Sequence, residues 1–229
     1  VIGKGVLGMQ VRSRRLPALA LAAGAGYLLG SIPWADLAAH QAARGRIDLR
    51  AAGSRNPGAR NVIDVLGKRW GYAVGVADIA KGAAACVVGR AVAGDLGAHV
   101  GGTAAVVGHC YPVWSRFQGG KGVACAVGQV LVTFPAAVPV EVAAGVLGAV
   151  APAEERASAI TVSLAAGWVA GALVWWRQGR PNAWGPAPTA ALPVAATVSS
   201  AVVVGRFAAG RRVTPRRRAS AQSPGSTGR

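Results

Sequence analysis

The chain is a succession of apolar runs, several long enough to cross a bilayer, separated by short basic segments. A spanning helix needs about 20 mostly apolar residues, and such runs stand at 16–39, 71–93, 96–113, 158–176 and 189–208. A further apolar stretch, 123–152, is too long for one upright helix. Pro135, Pro139 and Glu141 interrupt it, so it reads as two short helices or a bent hairpin. Only 14% of the residues are charged, against roughly 25% in soluble domains. The pattern predicts an all-α polytopic membrane helix bundle over residues 16–209. A basic segment, 1–15, precedes it, and a basic, Ser/Gly/Pro-rich tail, 210–229, is expected to be disordered.

The formal net charge of +17 is gathered in the gaps between apolar runs and after the last one. A nucleic-acid-binding protein would spread its arginines over one folded basic face, so a nucleic-acid partner is not expected. Positive loops beside a membrane instead predict contact with anionic membrane lipids. The segment 40–70 carries seven Lys/Arg, against four before the first run. Placing that segment in the cytoplasm puts the loop near residue 120 there too. Seven transmembrane helices, rather than six, also keep the Arg-rich tail inside. The first run has no small-residue cleavage site at its end, so it reads as a spanning helix and not a signal peptide. Met9 is the only methionine, and no weight falls on the residues before it. Three cysteines without C-x-x-C spacing read as small buried hydrophobes. Nothing in the pattern fixes an oligomeric state.

Chemistry is concentrated in two loops. At the end of the 96–113 run a His109–Cys–Tyr–Pro turn leads to Gly119, Gly120, Lys121 and Gly122, and the chain then becomes apolar again. Glycines let backbone N–H groups turn toward an anion, and a lysine adds full charge at the same place. The loop Asp48–Asn61 gathers Gly53, Ser54, Asn56 and Gly58 among its arginines, a set able to present donors to phosphate oxygens. Inside the second run Asp78 and Lys81 share a helix face, as a site pair or a structural ion pair. Gly24, Gly26 and Gly30 read as small residues for close helix packing rather than a nucleotide loop. Gly122 stands where a nucleotide-hydrolase phosphate loop requires Ser or Thr, so ATP hydrolysis is not expected. His40, His99 and His109 are too dispersed for a metal site, and His109 alone lies beside the Gly-Lys loop.

Taken together these segments resemble the bacterial acyl-phosphate:glycerol-3-phosphate acyltransferases (PlsY type). The resemblance runs through Gly30-Ser-Ile-Pro33, Asp48-Leu-Arg50, Gly53-Ser-x-Asn-Pro-Gly-Ala-x-Asn61, Asp78-Ile-x-Lys-Gly82, Gly108-His-Cys-Tyr-Pro112 and Phe117-x-Gly-Gly-Lys-Gly-Val-Ala124. The His-x4-Asp pattern of the other large glycerolipid acyltransferase class is absent. The resemblance implies a multi-pass enzyme of the bacterial cell membrane with cytoplasmic motif loops. It would move a fatty acyl group from acyl-phosphate to glycerol-3-phosphate, giving lysophosphatidic acid. Acyl-phosphate is already an activated anhydride, so no metal or cofactor is required. Ser54, Asn56, Lys121 and His109 are the candidate catalytic residues. Gly53, Gly58, Asn61, Gly119, Gly120, Gly122 and Arg50 are the candidate substrate- and phosphate-binding residues. The family pattern has Gly at Arg55, Thr at Arg60 and an Arg at Asp64. Its third motif is reduced here to Arg206-Phe-Ala-Ala-Gly210, with Ser200 and Val203 where His and Asn are expected. That reduction leaves a second reading, a paralogue of the same fold that binds lipid or phosphate, or regulates a partner, without turnover.

Overall fold

The computed structural model describes residues 3–211, with side chains from 15 to 210. Among the described residues the chain is helical, with two short 3-10 turns and no strand. The elements are α1 (Gly3–Ser31), α2 (Trp34–Ala43), α3 (Ala59–Leu66), α4 (Lys68–Cys110), α5 (Val123–Thr133), α6 (Val138–Ala149), α7 (Arg156–Gln178) and α8 (Ala191–Arg211). The expected disordered tail lies, beyond Arg211, outside the described residues.

Where a break occurs, the sequence supplies its cause. The first run is interrupted at Ile32–Pro33, because proline donates no backbone hydrogen bond and disfavours helix in the residue before it. The carbonyl of Ile32, left at the end of α1, accepts a 2.9 Å bond from Lys81 Nζ. The 43-residue α4 leaves helical geometry at Ala93 and Gly94, where Gly94 takes φ +67°. There the helix folds back on itself: Gly89 lies against the backbone of Gly97, and Gly101 against that of Ala85. These two arms match the runs expected at 71–93 and 96–113. Helices α5 and α6 meet at a 113° bend around Pro135, the bent pair expected from the prolines. By length and composition four described helices can cross a membrane, or five if the bent pair is one span. That is fewer than the seven expected, and α4, tallied once although it folds back, accounts for part of the difference. The segment 40–70, read as a loop, also contains α3.

Small residues set the packing. A Cβ added at Gly26 or Gly30 would strike the backbone of Gly101 or Ala105, so α1 lies directly on the second arm of α4. Gly82 and Gly128 bring the first arm equally close to α5. Gly24, grouped with Gly26 and Gly30 on sequence, meets nothing. One apolar core, around Phe134, Trp168 and Leu192, ties α4 to α5, α7 and α8; a second, around Leu49, Val62 and Val74, seats α2, α3 and the intervening loop. Gln129 joins three helices in the interior. It donates to Thr103 Oγ1 at 3.1 Å and accepts from Ser199 Oγ at 2.9 Å.

Candidate active site

The two motif loops meet at one end of the bundle. Gly120 is so close to Pro57 O and the His109 ring that it has no room for a side chain. The loop 44–58 is organised from below by Asn61, which is 1% exposed. Its Oδ1 accepts from the Ser54 amide at 2.7 Å, and its Nδ2 donates to the carbonyls of Leu49 and Ala52. With both ends of the amide engaged, Asn61 shapes the loop, whereas sequence grouped it with the phosphate ligands. Ser54 lies exposed on the rim and Asn56 partly buried beside Pro57. Gly53 and Arg55 both take positive φ, +55° and +60°. At Arg55 the backbone thus adopts the conformation in which the family pattern has glycine.

Arg50 reaches from this loop across to the other. Its guanidinium forms a fork on Asp36, at 2.7 and 3.0 Å, and bonds the Gln118 carbonyl through Nε and Nη2. Ser115 Oγ donates to the same carboxylate at 3.0 Å. All three guanidinium nitrogens are therefore engaged within the protein, and Arg50 staples α2 and the 48–58 loop to the segment before the glycines. Asp36 was not singled out in the sequence. A lone acid in an apolar run was its signal, the one that exposed Asp78.

Beneath the glycines lies a buried charged group. Asp78 Oδ1 is 2.9 Å from Lys81 Nζ, both side chains being 4% exposed, and 3.5 Å from His109 Nδ1. His109 Nε2 faces Gly120. The amides of Gly119 and Gly120 donate to the carbonyls of Cys110 and His109. These two N–H groups are thus committed to the fold, contrary to the expectation that all four loop amides serve an anion. Further along, Gly122, at φ +87°, opens α5 without a side-chain cap, so the first amides of that helix have no capping side chain.

The distal half closes the site. Arg206, on α8, donates to Gly119 O at 2.7 Å and Gly120 O at 3.3 Å, and its guanidinium stacks 5.1 Å from the Tyr111 ring. Lys121 Nζ lies 4.0 Å above the Phe207 ring. Val203 packs on Gly122. The reduced third motif thus still brings side chains to the Gly-Lys loop. Arg60 and Asp64, the other departures, pair with each other at 3.2 Å on the outer face of α3. Among the described residues no three His, Cys, Asp or Glu side chains gather into a metal-binding group, and Cys86, Cys110 and Cys125 are buried free thiols.

The fold and site together define a class: a multi-pass helical membrane protein with a polar cleft lined by Arg50, Asp78, Lys81, His109, Gly119 and Gly120. The family profile described as glycerol-3-phosphate acyltransferase matches residues 20–213. A glycerol-3-phosphate acyltransferase of Roseobacter denitrificans is 40% identical over 179 residues, covering 71% of this chain and 88% of that protein. One from Exiguobacterium sibiricum is 50% identical over 110 residues, which is 48% of this chain and 52% of the relative. The crystal structure of PlsY, an integral membrane glycerol 3-phosphate acyltransferase, in its glycerol 3-phosphate form is similar at a TM-score of 0.65. It is 26% identical in sequence, with 85% of this chain and 90% of that one covered. The chain belongs to the glycerol-3-phosphate acyltransferase family.

Proposed function

We propose that this membrane acyltransferase takes its acyl group from an acyl-phosphate and delivers it to glycerol-3-phosphate, with the site on the cytoplasmic side of the cell membrane. The observation that carries the reading is that Arg206 of α8 bonds the carbonyls of the glycine loop that holds Lys121, placing two cations at the start of α5. Both substrates are anionic, and the enzyme's task is to hold them together and to stabilise the oxyanion that develops between them. Lys121 and the first amides of α5 hold one phosphate. Gly53, Ser54, Asn56 and Gly58 present the rim loop to the other, while Arg50 fixes the spacing between the loops.

The acceptor hydroxyl must lose a proton. With the His109 proton on Nδ1 toward Asp78, the Nε2 lone pair faces the cleft beside Gly120. The 3.5 Å separation is longer than a typical hydrogen bond, and such contacts tighten when substrate binds. The hydroxyl oxygen attacks the acyl carbon as Nε2 takes its proton. The tetrahedral intermediate then collapses, the bond from acyl carbon to phosphate oxygen breaks, and His109 returns the proton to the leaving phosphate. The products are lysophosphatidic acid and inorganic phosphate.

The family relationship favours turnover over the non-catalytic reading. The donor is tested by supplying purified protein in lipid nanodiscs with acyl-phosphate or a matched acyl thioester, together with labelled glycerol-3-phosphate. Acyl-phosphate alone should give lysophosphatidic acid, with one phosphate released per acyl group. Efficient use of the thioester would overturn the donor assignment.

A further inference from the structure

Between α5, α6, α7 and α8 lies a cavity of about 290 Å³ walled by Val123, Val130, Leu131, Val142, Leu164 and Val203. Part of its wall adjoins the proposed phosphate site. Val123 is the residue after Gly122, and Val203 packs against Gly122 itself. Four polar residues interrupt this apolar wall, among them Glu141 on α6, Trp168 on α7 and Ser200 on α8. Glu141 Oε1, Trp168 Nε1 and Ser200 Oγ are all buried without a hydrogen-bond partner. Trp168 and Ser200 are 5% and 8% exposed. The other polar residue in the lining, Thr161, is satisfied by the Ala157 carbonyl. Buried polar groups are normally paired, and three orphans in the wall of one apolar cavity point to a ligand that is itself mostly apolar with a polar group on it.

We infer that this cavity receives the acyl tail of the donor and that Glu141, Trp168 and Ser200 recognise a hydroxyl carried on that tail. The inference rests on the acyl-phosphate reading above. A hydroxyl fits the inventory: it accepts from the indole N–H, which can only donate, and donates to the carboxylate, while the serine can do either. Depth follows from the helix. Ser200 precedes Arg206 by six residues, about 9 Å along α8, against about 15 Å from hydrocarbon edge to bilayer midplane. The recognised hydroxyl therefore lies on the part of the chain nearer the carbonyl. A plain chain leaves all three groups unpaired, the circumstance in which a polar pocket discriminates against the analogue lacking the hydroxyl.

The test compares kcat/KM for acyl-phosphates of one chain length, unsubstituted or hydroxylated at successive positions, in nanodiscs with labelled glycerol-3-phosphate. One carbonyl-proximal isomer should be preferred over the plain chain by about tenfold or more. Glu141→Leu and, independently, Ser200→Ala and Trp168→Phe should each collapse that ratio, so the test survives if one variant does not fold. Equal use of all isomers by the wild type, or a preference that persists in every variant, overturns the proposal; in that case the three groups serve water only. Turnover of the plain chain without discrimination leaves the acyl-phosphate reading standing, whereas no turnover of any donor overturns both.

Discussion

The cleft between the motif loops and the cavity between α5 and α8 treat polar groups in opposite ways. In the cleft, charges are held by other charges: Asp36 by Arg50, Asp78 by Lys81. In the cavity, Glu141 Oε1, Trp168 Nε1 and Ser200 Oγ have no hydrogen-bond partner. The cleft is pre-organised, with its cost of desolvation met within the protein, and its cations are fixed before substrate arrives. The cavity holds unpaired polar atoms, which we propose a ligand satisfies. The two regions touch at Gly122, where the Gly-Lys loop becomes α5 and Val203 of α8 packs against it. The proposed anion site and the proposed tail cavity thus share one glycine.

The sharpest way to break this contrast is to remove His109, the proposed proton acceptor of the cleft. His109→Gln keeps shape and removes the base, and should lower kcat by about 10²- to 10⁴-fold with little change in KM for glycerol-3-phosphate. An unaltered kcat would mean that a group other than His109, such as a substrate phosphate, takes the proton. Next in size is the buried pair. Asp78→Ala leaves Lys81 uncompensated and should cost about 3–5 kcal/mol of stability, read as a fall in thermal midpoint in detergent. The double replacement Asp78→Leu with Lys81→Met should recover much of that loss.

Arg206→Ala removes two charge-assisted bonds to the glycine carbonyls, worth about 1.5–3 kcal/mol together with their geometry. It should raise KM for acyl-phosphate about tenfold or more, while Arg206→Lys restores only part. The smallest expected effect has the opposite sign. Arg55 holds φ +60°, a conformation costing a non-glycine residue about 1 kcal/mol, so Arg55→Gly should raise stability slightly and leave turnover near wild type.

Much of the architecture was legible because its causes are local. The α4 break at Ala93–Gly94 and the bend at Pro135 fall where glycine and proline mark them. Pro33 was equally visible, but the apolar run continues past it, and hydropathy alone does not register a missing N–H. Helix α3 was hidden because its helical signal lies in a loop rich in Gly, Asn and Pro. In the site, residue types suggested an anion cleft; His109 and Gly120 do meet, while Lys121 Nζ lies over the Phe207 ring. Spacing could not show where amide hydrogens point, so Gly119 and Gly120 were read as donors to substrate when they bond Cys110 and His109. Asn61 likewise carries the same groups as a ligand residue, and only its burial shows that it serves the loop. Asp36 and Arg206 were missed as site residues for one reason: their partners lie 14 and 86 or more residues away.

The most direct measurement is lysophosphatidic acid formation by the purified protein in lipid, supplied with acyl-phosphate and labelled glycerol-3-phosphate, beside Lys121→Ala. Labelled product from the wild type, reduced at least about 100-fold in a folded Lys121→Ala protein, is the predicted result. No product from folded wild-type protein that still binds acyl-phosphate would contradict the account and make the chain a non-catalytic member of its family.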